Sequence, residues 1–146
     1  EGNNQASWII EVSHCLRKGD TRKVEKYMTS LLSSVSYRMQ RKQDPMECER
    51  YFQYTFYLII QMIGFYNAAL EKETSEGRID CVVECPHYVY IMEFKLDGSA
   101  EEALRQVERK GYAKPYAADA RQVIAMGINF SSEKGTIDGF LTQVIP

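Results

Sequence analysis

The 146-residue chain is short of several things, and each shortage excludes something. No apolar run approaches the ~18–20 residues that a membrane-spanning helix needs; one of the longest, Phe56 to Ile60, stops at Gln61. No charged segment followed by an apolar stretch opens the chain, so a secretory leader is not indicated. Internal repeats and low-complexity tracts are absent. With 45% hydrophobic and 26% charged residues, collagen-like and wholly disordered classes are excluded too. Cysteine is sparse: Cys15, Cys48, Cys81 and Cys85 form no C-x-x-C pair, which points to a reduced, cytoplasmic setting. Cys81, Cys85 and His87 are close enough to weigh as zinc ligands. Structural zinc sites want tighter ligand pairs, however, and Cys81 falls in a run that reads as a buried strand. The first residue is Glu rather than Met, so a piece excised from the C-terminal end of a longer protein is expected.

What is present suits one compact domain with a helical extension. The net charge of −2 argues against nucleic-acid binding by the whole surface. Its distribution is uneven: residues 1–44 hold eight Lys/Arg against five Asp/Glu, and residues 45–146 hold ten against fifteen. Any polyanion must therefore meet a local patch. Arg17, Lys18, Arg22 and Lys23 are one such cluster, most simply a solvated helix junction.

Two helices are predicted first, joined at Gly19-Asp20. Ala6, Ile9, Ile10 and Leu16 form a loose stripe on the first. On the second, Val24, Tyr27, Met28, Leu31, Leu32 and Val35 recur at three and four, an amphipathic face for the core or another subunit. Asp20 is its N-cap. Tyr37–Gln43 reads as a basic linker. A further helix opens at Asp44 with Pro45 at its first position and Glu47 completing a capping box. It is apolar nearly all round from Tyr54 to Ile63 and ends at Gly64. Residues 66–74 have mixed propensity and are predicted as a strand because they stand between a capped helix and a turn. Ser75-Glu76-Gly77 turns into a strand over Arg78–Cys85, and Pro86-His87 turns into another over Tyr88–Leu96. Ser99 and Glu102 form a second capping box for a helix to Lys110, stopped by Gly111. Strands over Arg121–Phe130 and Thr136–Val144 close the chain. The order α-β-β-β-α-β-β, preceded by two helices, defines an α/β or α+β architecture with helices covering a mixed sheet.

The chemistry concentrates in Gly77-Arg-Ile-Asp80 and Glu93-Phe-Lys95. Alternation puts Val89, Ile91, Glu93 and Lys95 on one face of their strand, where two charges among apolar residues are costly without partners. If the hairpin closes on Pro86-His87 alone, Asp80 faces Glu93 and Arg78 faces Lys95; a loop one residue different puts the two carboxylates on opposite faces. Facing carboxylates repel unless a cation lies between them, and a hard divalent ion, Mg²⁺ or Mn²⁺, suits all-oxygen ligation. Such an ion activates water and neutralises phosphoryl charge, while a neighbouring lysine orients the nucleophile or stabilises developing charge.

These residues resemble the PD-(D/E)XK nuclease superfamily, and more closely the nuclease-like C-terminal domains of predicted bacterial AAA-type ATPases. The likeness rests on Glu49-Arg-Tyr-Phe-Gln53, Gly77-Arg-Ile-Asp80, Tyr90-Ile-Met-Glu-Phe-Lys95, Ala103-Leu-Arg-Gln106 with Lys110-Gly-Tyr112, and Gly127-Ile-Asn-Phe-Ser131, five matches in order. It is close over residues 45–146 and looser over 9–40, the linker after the ATPase. The implied division is a helical lead-in over 1–43 and a nuclease-like domain with a restriction-endonuclease-like core over 44–146.

The resemblance implies that Asp80, Glu93, Glu49 and the Phe94 carbonyl bind Mg²⁺ or Mn²⁺, and that Lys95 positions the attacking water. Gln106 and Lys110, with Arg78, Gln53 and Tyr112, are candidate substrate-binding residues. Two departures stand out: Ile79 replaces the proline before the aspartate, and Gln106-x-x-x-Lys110 stands where some relatives have Gln-x-x-x-Tyr. The expected activity is metal-dependent phosphodiester hydrolysis, with DNA as substrate and an N-terminal ATPase domain as covalent partner. No membrane association is expected, and an oligomer is compatible. The alternative is a catalytically inactive nuclease fold acting as an interaction or regulatory domain.

Overall fold

The computed structural model describes residues 3–35, 69–74 and 77–146. The basic segment Tyr37–Gln43, the helix expected over residues 44–64 and the Ser75-Glu76 turn lie outside them. The chain begins with α1 (Asn3–Lys18) and α2 (Thr21–Val35), followed by β1 (Ala69–Thr74), β2 (Gly77–Glu84) and β3 (Tyr88–Leu96). Helix α3 (Ala100–Arg109) and a 3-10 turn at Lys114–Tyr116 lead to β4 (Gln122–Ser131) and β5 (Thr136–Ile145). The five strands lie in one sheet in chain order. Among the described strands only β3 and β4 run parallel, as their α3 crossover requires; the other neighbours are antiparallel.

Local sequence accounts for the joints. Between α1 and α2 the Asp20 N–H donates to the Cys15 carbonyl at 2.8 Å and the Gly19 N–H to the Leu16 carbonyl at 3.4 Å. That is a Schellman ending, with Gly19 at φ +77°. A side chain at Gly19 would also collide with the Tyr88 ring, so the position is closed to larger residues. The Asp20 carboxylate then accepts from Lys23 N at 3.3 Å, capping α2. Ser99 caps α3 by accepting from Glu102 N at 3.1 Å. At Ala69–Thr74 the helix propensity of Ala69, Leu70 and Glu71 gives way to ladder pairing, with Leu70 opposite Cys81 and Lys72 opposite Ile79.

Alternation divides the sheet into two apolar faces. Cys81, Val83, Tyr90, Met92, Met126 and Ile128 point toward α1 and α2, where they meet Val12, Leu16, Val24 and Met28. The buried Tyr90 hydroxyl also donates to the Leu16 carbonyl, which takes a second bond beside the long one from Gly19 N–H and ties the end of α1 to β3. Val82, Val89, Ile91, Val123 and Ala125 face the other way, toward Val107 of α3 and Tyr112 and Tyr116 beyond it. Helices α1 and α2 thus share the core of the sheet.

Helix α3 lies close to β4. A Cβ at Gly127 would land on the Ala100 carbonyl oxygen and stand 3.0 Å from Leu104 N and 3.1 Å from the Ala103 Cβ. The loop before the helix is pinned by buried Asn129, whose Oδ1 accepts from Gly98 N at 2.9 Å while its Nδ2 donates to the Asp138 carbonyl at 3.4 Å. Asp97, at φ +53°, accepts from Ser132 N at 2.9 Å and from its hydroxyl at 2.6 Å. At the other end of the sheet Arg121 donates to Asp119 through Nε and Nη2, at 2.9 and 2.7 Å, and to Glu84 at 2.7 Å.

Two outcomes follow. Gly127→Ala forces backbone apart and should lower stability by about 1–3 kcal/mol, read as a fall in the urea midpoint; an unshifted midpoint refutes the close seat. The Asp119 carboxyl is held down to about 2 by hydrogen bonds from Arg121. A carboxyl depressed by folding stabilises above its ordinary 3.8 and loses that contribution as pH falls toward about 2. Arg121→Leu should therefore flatten this acid limb in thermal melts followed by circular dichroism.

Candidate active site

The geometry of the site begins with hairpin register. The Cys85 N–H donates to the Tyr88 carbonyl at 2.7 Å, closing the turn on Pro86-His87 alone. The ladder then pairs Glu84 with Val89, Val83 with Tyr90, Val82 with Ile91 and Cys81 with Met92. One step further along that register, position 80 falls across from Glu93. Glu93 continues the alternation of Val89 and Ile91, on the sheet face that α3 covers.

Glu93 is 3% exposed, a burial that an isolated carboxylate tolerates poorly. Its Oε1 accepts from Gln106 Nε2 at 2.6 Å. The other end of that amide, Oε1, accepts from Lys95 Nζ at 2.7 Å. A lysine only donates and a carboxylate only accepts, so this orientation is the one that satisfies both partners. One residue of α3 thus ties together the two charged residues of β3, which lie two apart on a common face.

Parallel pairing explains why α3 reaches them. Glu93 is opposite Gly127 and Lys95 opposite Asn129. The glycine that admits the helix and the asparagine that pins its leading loop are the lateral neighbours of the charged pair. Beside them opens a cleft of about 510 Å³ whose described lining is Lys95, Glu102, Arg105, Gln106, Glu108 and Arg109. It is a mixed-charge groove alongside α3.

The other sequence candidates are placed as follows. Arg78 is a strand residue of β2, paired with Glu73. Phe94 buries its ring toward the α1–α2 face, 5.6 Å from Phe130 between ring centres, and its carbonyl belongs to the strand between Glu93 and Lys95. Lys110 is exposed at the C-cap of α3 and does not line the cleft. Tyr112 is 3% exposed and belongs to the core beside Val107 and Tyr116. Glu49 and Gln53 lie outside the described residues. Of the zinc candidates, Cys81 and Cys85 are buried in the core, His87 is exposed, and burial pushes the Cys85 thiol up to about 11. Among the described residues, no three of His, Cys, Asp and Glu cluster as a metal site; no helix there is long and apolar enough to cross a membrane.

Sequence reasoning passed over Arg105, Arg109 and Glu102 as cleft residues, and Asn129 as the loop anchor. A polar side chain at 129 within the apolar run of β4 was the available signal for the last. The arginines carried none, because their place depends on how α3 sits.

This architecture, a mixed sheet with an Asp and a Glu-x-Lys on adjacent strands and a helix across them, defines a nuclease-like fold, and the chain belongs to the PD-(D/E)XK nuclease superfamily. The model of that family matches residues 47–140. A curated protein described as an uncharacterized protein in the vnfD 5′ region of Azotobacter chroococcum mcd 1 is 30% identical over 122 residues. That match takes in 82% of this chain and 23% of the relative, so the chain spans about a quarter of the relative's length. No solved structure matches the chain.

The Gln106 bridge has a measurable consequence. Gln106→Leu removes a donor from buried Glu93 and an acceptor from Lys95, and should cost about 1–3 kcal/mol in urea unfolding. An unchanged midpoint would show that the amide does not bridge them.

Proposed function

We propose that this domain is a divalent-metal-dependent nuclease that hydrolyses phosphodiester bonds in DNA, joined in its full-length protein to an AAA-type ATPase region. The observation that carries the reading is the Gln106 amide joining Glu93 and Lys95 at the edge of an open groove. A structural lysine–carboxylate pair on one strand needs no third residue from a helix. A pair held apart and oriented by one has the arrangement of a reactive site.

The donor set fits a hard cation. Glu93 is a buried carboxylate, position 80 lies one step beyond the Cys81–Met92 pair on the adjacent strand, and the Phe94 carbonyl adds a neutral oxygen. All-oxygen ligation of this kind suits Mg²⁺ or Mn²⁺. Glu49 would complete the set. Bound there, the cation supplies Lewis acidity toward a phosphoryl oxygen and lowers the pKa of a coordinated water.

The remaining work belongs to the chain. Gln106 fixes the Glu93 carboxylate by donating to one oxygen, which leaves further lone pairs on the group for ligation. By accepting from Lys95, the same amide holds the ammonium at the cleft wall, where its other two N–H bonds point a water or a phosphoryl oxygen into line. Lys95 works as a fixed positive charge, strengthened by the half-buried setting. The ATPase attachment is supported by the sequence resemblance and by the length of the relative, of which this chain covers 23%.

Nicking of supercoiled plasmid, titrated with Mg²⁺ and Mn²⁺, tests the reading. The wild type should cleave only with metal, and Asp80→Ala and Lys95→Ala should each slow cleavage by about 10²-fold or more. A wild type that cleaves neither DNA nor RNA under any metal sinks the enzyme reading and leaves an inactive interaction domain.

A further inference from the structure

Arg105 and Arg109 stand one turn apart on α3 and both line the cleft with Lys95 and Gln106. Both are exposed. Among the described residues neither takes part in an ion pair or a side-chain hydrogen bond. Arg109 sits in the last turn, where the helix dipole favours a cation regardless of function. Arg105 has no such reason. It is mid-helix, with Glu101 four residues before it and Glu108 three after, at the spacings where helical ion pairs form, yet it pairs with neither. Glu102 and Glu108 also line the groove, so it is not a general anion trap. Its cations are placed individually: Lys95 at the wall, and two guanidinium groups along the helix about 6 Å apart in rise. Guanidinium forks match phosphate oxygens bidentately.

We propose that Arg105 and Arg109 hold two phosphates of a nucleic-acid backbone and thereby lay the strand along α3 against Lys95. This rests on the nuclease reading and specifies how that site takes its substrate. The flanking carboxylates narrow the path, since a phosphate displaced toward either is repelled.

The test is binding of fluorescent single- and double-stranded DNA across a salt series, once with a chelator and once with Ca²⁺, with plasmid cleavage assayed in parallel. Each phosphate that the protein ceases to neutralise lowers the slope of log affinity against log salt by about 0.9 on duplex or about 0.7 on single strands. Arg105→Ala and Arg109→Ala should each flatten the slope by that much, uniformly across DNA sequences, and Arg105→Lys should recover it by restoring the charge. Lys26→Ala removes an exposed charge from α2, on the opposite face of the sheet, and should leave the slope unchanged. Arginine variants that keep the wild-type slope overturn the proposal even if the wild type cleaves metal-dependently, in which case the nuclease reading stands. Slopes that fall in a protein that never cleaves support the groove and reject the enzyme. A wild type that binds no DNA at low salt in either condition overturns the proposal, and its cleavage result then judges the nuclease reading separately.

Discussion

Everything at the site depends on how far α3 sinks onto β4. The limit is steric: with hydrogen at position 127 the Ala100 carbonyl can rest against the strand, and with a methyl group it cannot. The apolar stripe Ala100, Ala103 and Val107 is made of residues small enough to use that space. Hydrophobic burial pulls the helix down, and Gly127 decides where it stops. Gln106 has a short reach beyond its backbone, so an amide bridging Glu93 and Lys95 at 2.6 and 2.7 Å exists only at that depth. Asn129 and Asp97 act on the other coordinate, fixing where the helix starts along the sheet.

Parallel pairing of β3 and β4 makes this coupling local. In register, Gly127 neighbours Glu93 and Asn129 neighbours Lys95. The residues that seat the helix therefore sit beside the residues the helix serves, and a shift of one strand against the other disturbs both together. The hairpin between β2 and β3 contributes the third alignment. Its two-residue turn leaves no slack, and a single inserted residue would take position 80 out of line with Glu93. Three short-range constraints thus converge on the same few ångströms of sheet surface.

Much of this was legible in the sequence because it was written in short-range signals. The five strands, the Ser99 cap, the Gly19-Asp20 junction and the two-residue hairpin turn all follow from spacing and turn chemistry, and strand alternation alone put Glu93 and Lys95 on one face. The strand at Ala69–Thr74 was harder, since Ala-Leu-Glu favours a helix until a partner strand supplies the ladder. Gln106 was visible as a candidate substrate-binding residue, but not as a bridge between two residues of the same strand. Its partners are set by tertiary depth, which no local pattern encodes. Tyr112 shows the converse: a tyrosine near a polar motif looks like a ligand-binding group, and the structure spends its ring on the core.

The use of an amide between the acid and the lysine has its own logic. Were Lys95 and Glu93 to meet directly, each charge would be largely neutralised by the other, and the pair would present little field to a ligand. A neutral group between them supplies hydrogen bonds to both while cancelling neither. It also fixes both orientations with one side chain, whose position is already determined by the seat of α3. The cost of burying Glu93 is then carried partly by the amide and partly by the helix packing that delivers it. On the proposed reading the two charges have separate tasks, the carboxylate toward a cation and the ammonium toward a water or a phosphate. An arrangement that keeps them two residues apart on one strand, linked through a neutral amide, is compatible with both tasks at the same cleft.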